Sequence, residues 1–145
     1  MKISVSLVVA AMTAGLSFPG LAKSSACPAQ EAKHVEETIE QVKTWPQFAT
    51  FYAQHKKCDA SALRYAFTQQ VAHLTANDQG LLGLSKMLAQ HPHLKPTILE
   101  HLKSEAVTMD DRDQILRMLQ ACKPGQKSVC RDVRRVFDSE MPQNK

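Results

Sequence analysis

Cysteine carries the most tightly constrained chemistry in this chain of 145 residues, which holds four of them. Cys27, Cys58, Cys122 and Cys130 include no C-x-x-C pair, so the spacing of a thioredoxin-type redox centre or of a zinc knuckle is missing. No C-x-x-C-H run offers a thioether link to haem. An even number of cysteines in an exported chain points to two structural disulfides. Four cysteines allow three pairings. The local one, Cys27 with Cys58 and Cys122 with Cys130, is expected, because each bond then ties neighbouring helices across one connection.

Other reactive groups are less organised. His91, His93 and His101 lie near Glu100, and zinc wants three or four such ligands in a closed geometry. Pro92 holds His91 and His93 in a loop, so these residues read as surface histidines around a helix break. Asp110, Asp111 and Asp113 lack the glycine and the distal glutamate of an EF-hand loop. They suit the negatively charged first turn of a helix. No G-x-S-x-G or H-E-x-x-H run is present. With the cysteines oxidised, no residue is assigned a catalytic role, and no cofactor or metal is expected.

Two groups of residues are candidates for binding a partner. Trp45, Phe48, Phe51 and Tyr52 are closely spaced, and on a helix they cannot all point one way. Trp45, Phe48 and Tyr52 are taken as candidate anchors, since exposed aromatics often anchor interfaces; the competing reading is a small protein's core. Lys123, Lys127, Arg131, Arg134 and Arg135 cluster toward the C-terminus, with Arg131 and Arg135 on one helix face. That face suits an acidic protein or an anionic envelope component. Glu36, Glu37 and Glu40 form an acidic counterpart near the other end.

The elements that must position these groups are helical throughout. Ala29, Ala32, Val35, Ile39 and Val42 make one stripe over 29–43. Thr44 before Trp45-Pro46 reads as a helix cap, opening a helix to about His55. Cys58 then ends a connection and Asp59 caps a helix over 60–76, with Leu63, Ala66, Phe67, Val71 and Leu74 inward. Asn77-Asp78 opens another over 79–90, in which Gly80 and Gly83 either weaken the helix or permit a close crossing. Pro96 opens a fifth helix, Thr108 a sixth carrying Ile115, Leu116, Leu119 and Cys122, and Pro124-Gly125 turns into a last helix with Val129, Val133, Val136 and Phe137. The tail Pro142–Lys145 is expected to fray. The expected fold is all-α, a single compact bundle of six or seven short helices with two disulfides.

The first residues set the compartment. Lys2 precedes an uncharged, largely apolar run over Ile3–Phe18, then Pro19-Gly20 and small residues, the layout of a secretory signal peptide. The run is shorter than a membrane span, which needs about 20 residues. Cleavage after Ala22 is preferred; a cut after Ala26 also fits. Lipid attachment at Cys27 is an alternative, though Ser24 stands where lipoprotein signals usually carry a Leu-like residue. Residues 23–145 then form a single helical domain, periplasmic or secreted. The formal charge is +4, and the leader removes only Lys2, leaving +3. So small a charge bears on solubility and does not indicate nucleic acid.

The run Trp45-Pro46-Gln47-Phe48, then Phe51-Tyr52, Cys58-Asp59 and the late pair Cys122 and Cys130 resembles small exported helical proteins of Gram-negative bacteria. Among these are immunity factors that neutralise toxins delivered by type VI secretion. Ala60 stands where a second acid commonly follows the Cys-Asp pair in such chains. The resemblance implies a periplasmic binding or inhibitor protein that occludes a site on another protein, a secreted effector or an envelope enzyme. It carries over no functional residue. A small apolar-ligand carrier and an envelope stress chaperone are the alternatives.

Overall fold

The structure is a computed structural model and describes residues 26–139. The expected leader over residues 1–22 and the tail Pro142–Lys145 lie outside the described residues. Seven α-helices and no strand occur among them: α1 (Ala29–Thr38), α2 (Trp45–Asp59), α3 (Arg64–Ala76), α4 (Gly80–Gln90), α5 (Lys95–Leu102), α6 (Met109–Gln120) and α7 (Lys127–Asp138). Short 3-10 turns stand at Ile39–Gln41, Pro92–Leu94 and Pro124–Gln126. The all-α bundle expected from the apolar spacing is the fold observed.

The helix starts follow local chemistry. The Gln47 N–H donates to Thr44 Oγ1 at 3.4 Å, and Gln47 Oε1 accepts from the N–H groups of Lys43 and Thr44 at 2.8 and 3.2 Å. This reciprocal capping box satisfies donors that the first turn of α2 cannot. Pro46, lying in that turn, sacrifices no helical hydrogen bond. At α6 the Asp111 N–H donates to Thr108 Oγ1 at 3.1 Å, and Asp110 and Asp111 meet the positive end of the helix dipole.

Helix ends depart from the sequence expectation in several places; α6 ends at Gln120, so Cys122 of its expected stripe lies in the following connection, and Leu116 of that stripe is exposed. α1 stops at Thr38 and tightens into a 3-10 turn, where an α-helix to Lys43 was expected. The Thr38 hydroxyl there bonds back to the His34 carbonyl at 2.6 Å. α2 runs to Asp59 rather than about His55, so Cys58 is helical. Asp59 therefore does not cap the next helix; it is buried, and α3 opens only at Arg64. A turn anchored on the Cys58 carbonyl, which accepts from both the Ser61 N–H and hydroxyl, separates them.

α3 runs through the middle of the bundle and touches α2, α4, α5 and α6. Phe67, Val71 and Leu74 are buried as expected, but so are Thr68, Gln70 and Thr75. A helix surrounded on several sides must bury polar residues too, and each then needs a partner. The Gln70 amide donates to the Val42 carbonyl, Gln69 to the Ala106 carbonyl, and the Thr75 hydroxyl to the Val71 carbonyl. α7 shows the opposite pattern: Val129, Val133 and Phe137 face the core and its charges face out.

Both local disulfides are present. Cys27 joins Cys58 with Cα atoms 4.5 Å apart, and Cys122 joins Cys130 at 6.5 Å. The first spans 31 residues of sequence and fastens the start of α1 to the end of α2. The second spans 8 and pins the first turn of α7 to the connection after α6. Chain-entropy estimates give about 3–4 kcal/mol for the longer loop and about 2–3 for the shorter. Reduction is expected to lower the melting temperature by several degrees, with Cys27→Ser/Cys58→Ser costing more than Cys122→Ser/Cys130→Ser. Calorimetry of the three proteins checks this, and an unchanged melt would show that the bridges contribute little. Among the described residues no helix is long and apolar enough to cross a membrane.

Candidate binding surfaces and a buried polar network

Four polar side chains from three helices meet in the core. The Tyr52 hydroxyl on α2 donates to Asp59 Oδ2 at 2.9 Å. His101 Nε2 on α5 lies 3.2 Å from the same oxygen, and Thr68 Oγ1 on α3 lies 2.9 Å from His101 Nδ1. An ionised carboxylate only accepts, so Nε2 carries a proton; in the neutral ring Nδ1 then accepts from the Thr68 hydroxyl. Arg64 Nη1 stands 3.8 Å from Asp59 Oδ1, which has no hydrogen-bond partner among the described residues.

This environment separates the two acids. Burial alone pushes the Asp59 carboxyl up, but the His101 ring, the Tyr52 hydroxyl and the Arg64 guanidinium outweigh it and hold Asp59 below its ordinary value. Burial, followed by the Asp59 charge, pushes the Tyr52 phenol up to about 12. Tyr52 is thus a fixed donor at neutral pH.

A hydroxyl, an imidazole and a carboxylate in one chain have the composition of an acyl-transfer relay. Here Thr68 is 1 % exposed and His101 0 % exposed, so the hydroxyl is closed off from solvent. The arrangement acts as a clamp between α2, α3 and α5. Sequence reasoning missed it. His101 is not a surface histidine, and among the described residues no group of three His, Cys, Asp or Glu side chains is placed to hold a metal. The available signal was a histidine beside Leu102 and three residues after Ile98, inside an apolar stripe.

The aromatic candidates divide. Trp45 and Phe48, expected as possible anchors, are 3 % and 0 % exposed and belong to the core. Their rings meet edge-on at 5.7 Å, and Phe48 stacks on Tyr52 at 5.7 Å. The helical spacing of 45, 48 and 52 puts all three on one face, which packs inward. Tyr52 is half-buried and lines a cleft.

Two clefts flank α2. One of about 500 Å³ lies between α1 and α2, among His34, Val42, Gln47, Phe51 and His55. His55 there is engaged by Glu31 at 3.1 Å, which also pairs with Lys57 at 2.8 Å. Lys57 first, then His55, holds the Glu31 carboxyl below its usual range. The other cleft, about 620 Å³, lies between α2 and the segment 91–97. Thr50 and Gln54 form the ridge that both share.

The basic candidates are on the surface. Arg131, Arg134 and Arg135 are exposed on the outer side of α7, with Lys127 one turn before Arg131. Arg134 Nη2 donates to the Leu119 carbonyl at 2.6 Å and so helps close the end of α6. Arg135 pairs loosely with Asp132 at 3.9 Å, and Arg131 has no ion-pair partner among the described residues. Asp132 also pairs with Lys95 of α5, which leaves the face positive. Glu36, Glu37 and Glu40 are exposed along the first helix and its 3-10 turn, as expected, with one ion pair among the described residues, Lys33–Glu37 at 3.8 Å. No protein-family model matches the chain, and no curated protein or solved structure shows a significant match to it.

Proposed function

We propose that the chain is an exported, periplasmic binding protein of the inhibitor or immunity kind, which covers a site on an acidic secreted effector or envelope enzyme with the outer face of α7. One observation carries this reading. α7 presents Lys127, Arg131, Arg134 and Arg135 on a helix whose other face is locked by Val129, Val133 and Phe137 and whose first turn is bridged through Cys130. A charged face held rigid before contact loses little freedom on binding. It also speeds encounter with an oppositely charged partner. The reading assigns the chain no reaction of its own.

The test starts from a non-reduced periplasmic extract of a toxin-expressing host. The tagged chain should recover one exported enzyme at stoichiometric amount and stop its activity. Arg131→Glu/Arg135→Glu should then weaken binding at least about tenfold, chiefly through a slower, less salt-sensitive association, with the melting temperature unchanged. Arg134 is left intact because it holds the end of α6. Absence of a stoichiometric exported partner, or equal binding by the double variant, would overturn the reading.

A further inference from the structure

Where the neighbouring cleft has His34 and His55 as its titratable lining, the cleft between α2 and the segment 91–97 adds a lysine. Its titratable lining is Tyr52, Lys56, His91 and His93, and no carboxylate lies on its wall. We propose that this cleft is a binding site for a small organic anion with an apolar body, such as an aryl or acyl carboxylate or sulfonate. The site is separate from the α7 face, so it stands or falls independently of the proposed docking function.

The shape supplies the apolar part. Ala49 and Ala53, one turn apart on α2, leave room where larger side chains would fill the groove, and Leu94 forms the opposite wall. About 620 Å³ is within the usual range for small-molecule sites. The rim supplies the polar part. Pro92 fixes the backbone between His91 and His93, whose rings stand 6.0 Å apart nearly at right angles, while buried Leu94 anchors the turn from below. Lys56 faces them from α2, and the side chains of Thr50, Gln54 and Thr97 add hydrogen-bonding groups.

The floor does not repel an anion. Asp59 lies behind Tyr52, but the carboxylate is already met by His101, Arg64 and the Tyr52 hydroxyl. In the cleft on the other side of α2, His55 is committed to Glu31 and no lysine joins His34 on the wall. A partly enclosed groove with a lysine and two imidazoles facing each other across its mouth and small apolar residues beneath selects for charge at one end of a ligand. A neutral apolar ligand meets the same walls without the rim contacts.

A matched pair of probes tests this. 8-Anilinonaphthalene-1-sulfonate and its uncharged parent, N-phenyl-1-naphthylamine, share one ring system and differ by the sulfonate. Fluorescence titration of the oxidised protein should give saturable binding of one sulfonate probe per chain, at least about tenfold tighter than the parent, and weakened by added salt. Ala53→Trp, at an exposed position on α2, should abolish it by filling the groove. Lys56→Ala/His91→Ala/His93→Ala should weaken the sulfonate about tenfold or more and the parent little, with the melt unchanged. Equal affinity for the two probes, sulfonate binding that survives Ala53→Trp, or no saturable binding would each overturn the proposal.

Discussion

Replacing His101 by alanine is expected to destabilise the protein by about 3–5 kcal/mol, from a buried carboxylate stripped of a hydrogen bond together with the cavity left behind. The imidazole is fully buried between Asp59 and Thr68. Its loss leaves a carboxylate and a hydroxyl short of partners in the core and a cavity beside Ile98 and Leu102. For a chain of this size the melting temperature should fall by roughly 10–15 °C. Tyr52→Phe removes one donor and should cost only about 1 kcal/mol. Because three helices share the network, Asp59→Leu/His101→Leu should be less damaging than the sum of the single changes, a coupling that a double-mutant cycle measures. A His101→Ala protein within about 1 kcal/mol of the parent would mean that apolar packing alone holds α5 in place.

The same network sets how stability depends on pH. Asp59 titrates below its ordinary value of 3.8 when folded, so its contribution is complete above that value and is lost as pH falls through the folded value. Tyr52 moves the other way, from 10.0 to about 12. Its contribution is complete below pH 10 and is lost as pH rises through 12. Denaturant melts across pH should therefore show a decline at each end. Tyr52→Phe should remove part of the alkaline decline and, by taking one hydrogen bond from Asp59, shrink the acid one as well.

Gly80→Ala is expected to cost about 3 kcal/mol or more, although alanine in a helix is ordinarily better than glycine by up to about 1 kcal/mol. A Cβ at position 80 would stand 2.0 Å from the Thr75 carbonyl oxygen and 2.6 Å from that of Leu74. Both are backbone atoms at the end of α3 and cannot swing aside. The shift they would force also disturbs the Gly80 carbonyl, which accepts from the Trp45 indole N–H at 2.9 Å. At Gly83 the added carbon would meet Trp45 Cδ1 at 2.8 Å, and overpacking there should cost about 1–3 kcal/mol. Gly125 has open space around it and no positive φ, so Gly125→Ala should be neutral or slightly stabilising. Equal melts for all three variants would show that α3, α4 and Trp45 are packed less closely than the structure has them.

The sequence by itself determined what depends on near neighbours. Apolar residues three and four apart specified the helices, and Thr44, Thr108 and the prolines marked their starts, because capping involves groups within one turn. Local cysteine pairing followed from helices joined by short connections. The tertiary structure decided the rest. Trp45 and Phe48 share a face with Tyr52, but only the packing of that face against α3 and α4 makes them core rather than contact residues. Thr68 and Asp59 meet His101 across 33 and 42 residues of sequence, a distance over which no periodicity carries information. α3 hid its polar residues inside because neighbours surround it, so its buried side chains do not form a single stripe. The cleft carrying Lys56, His91 and His93 likewise exists only where α2 meets the segment 91–97, since neither piece is concave alone.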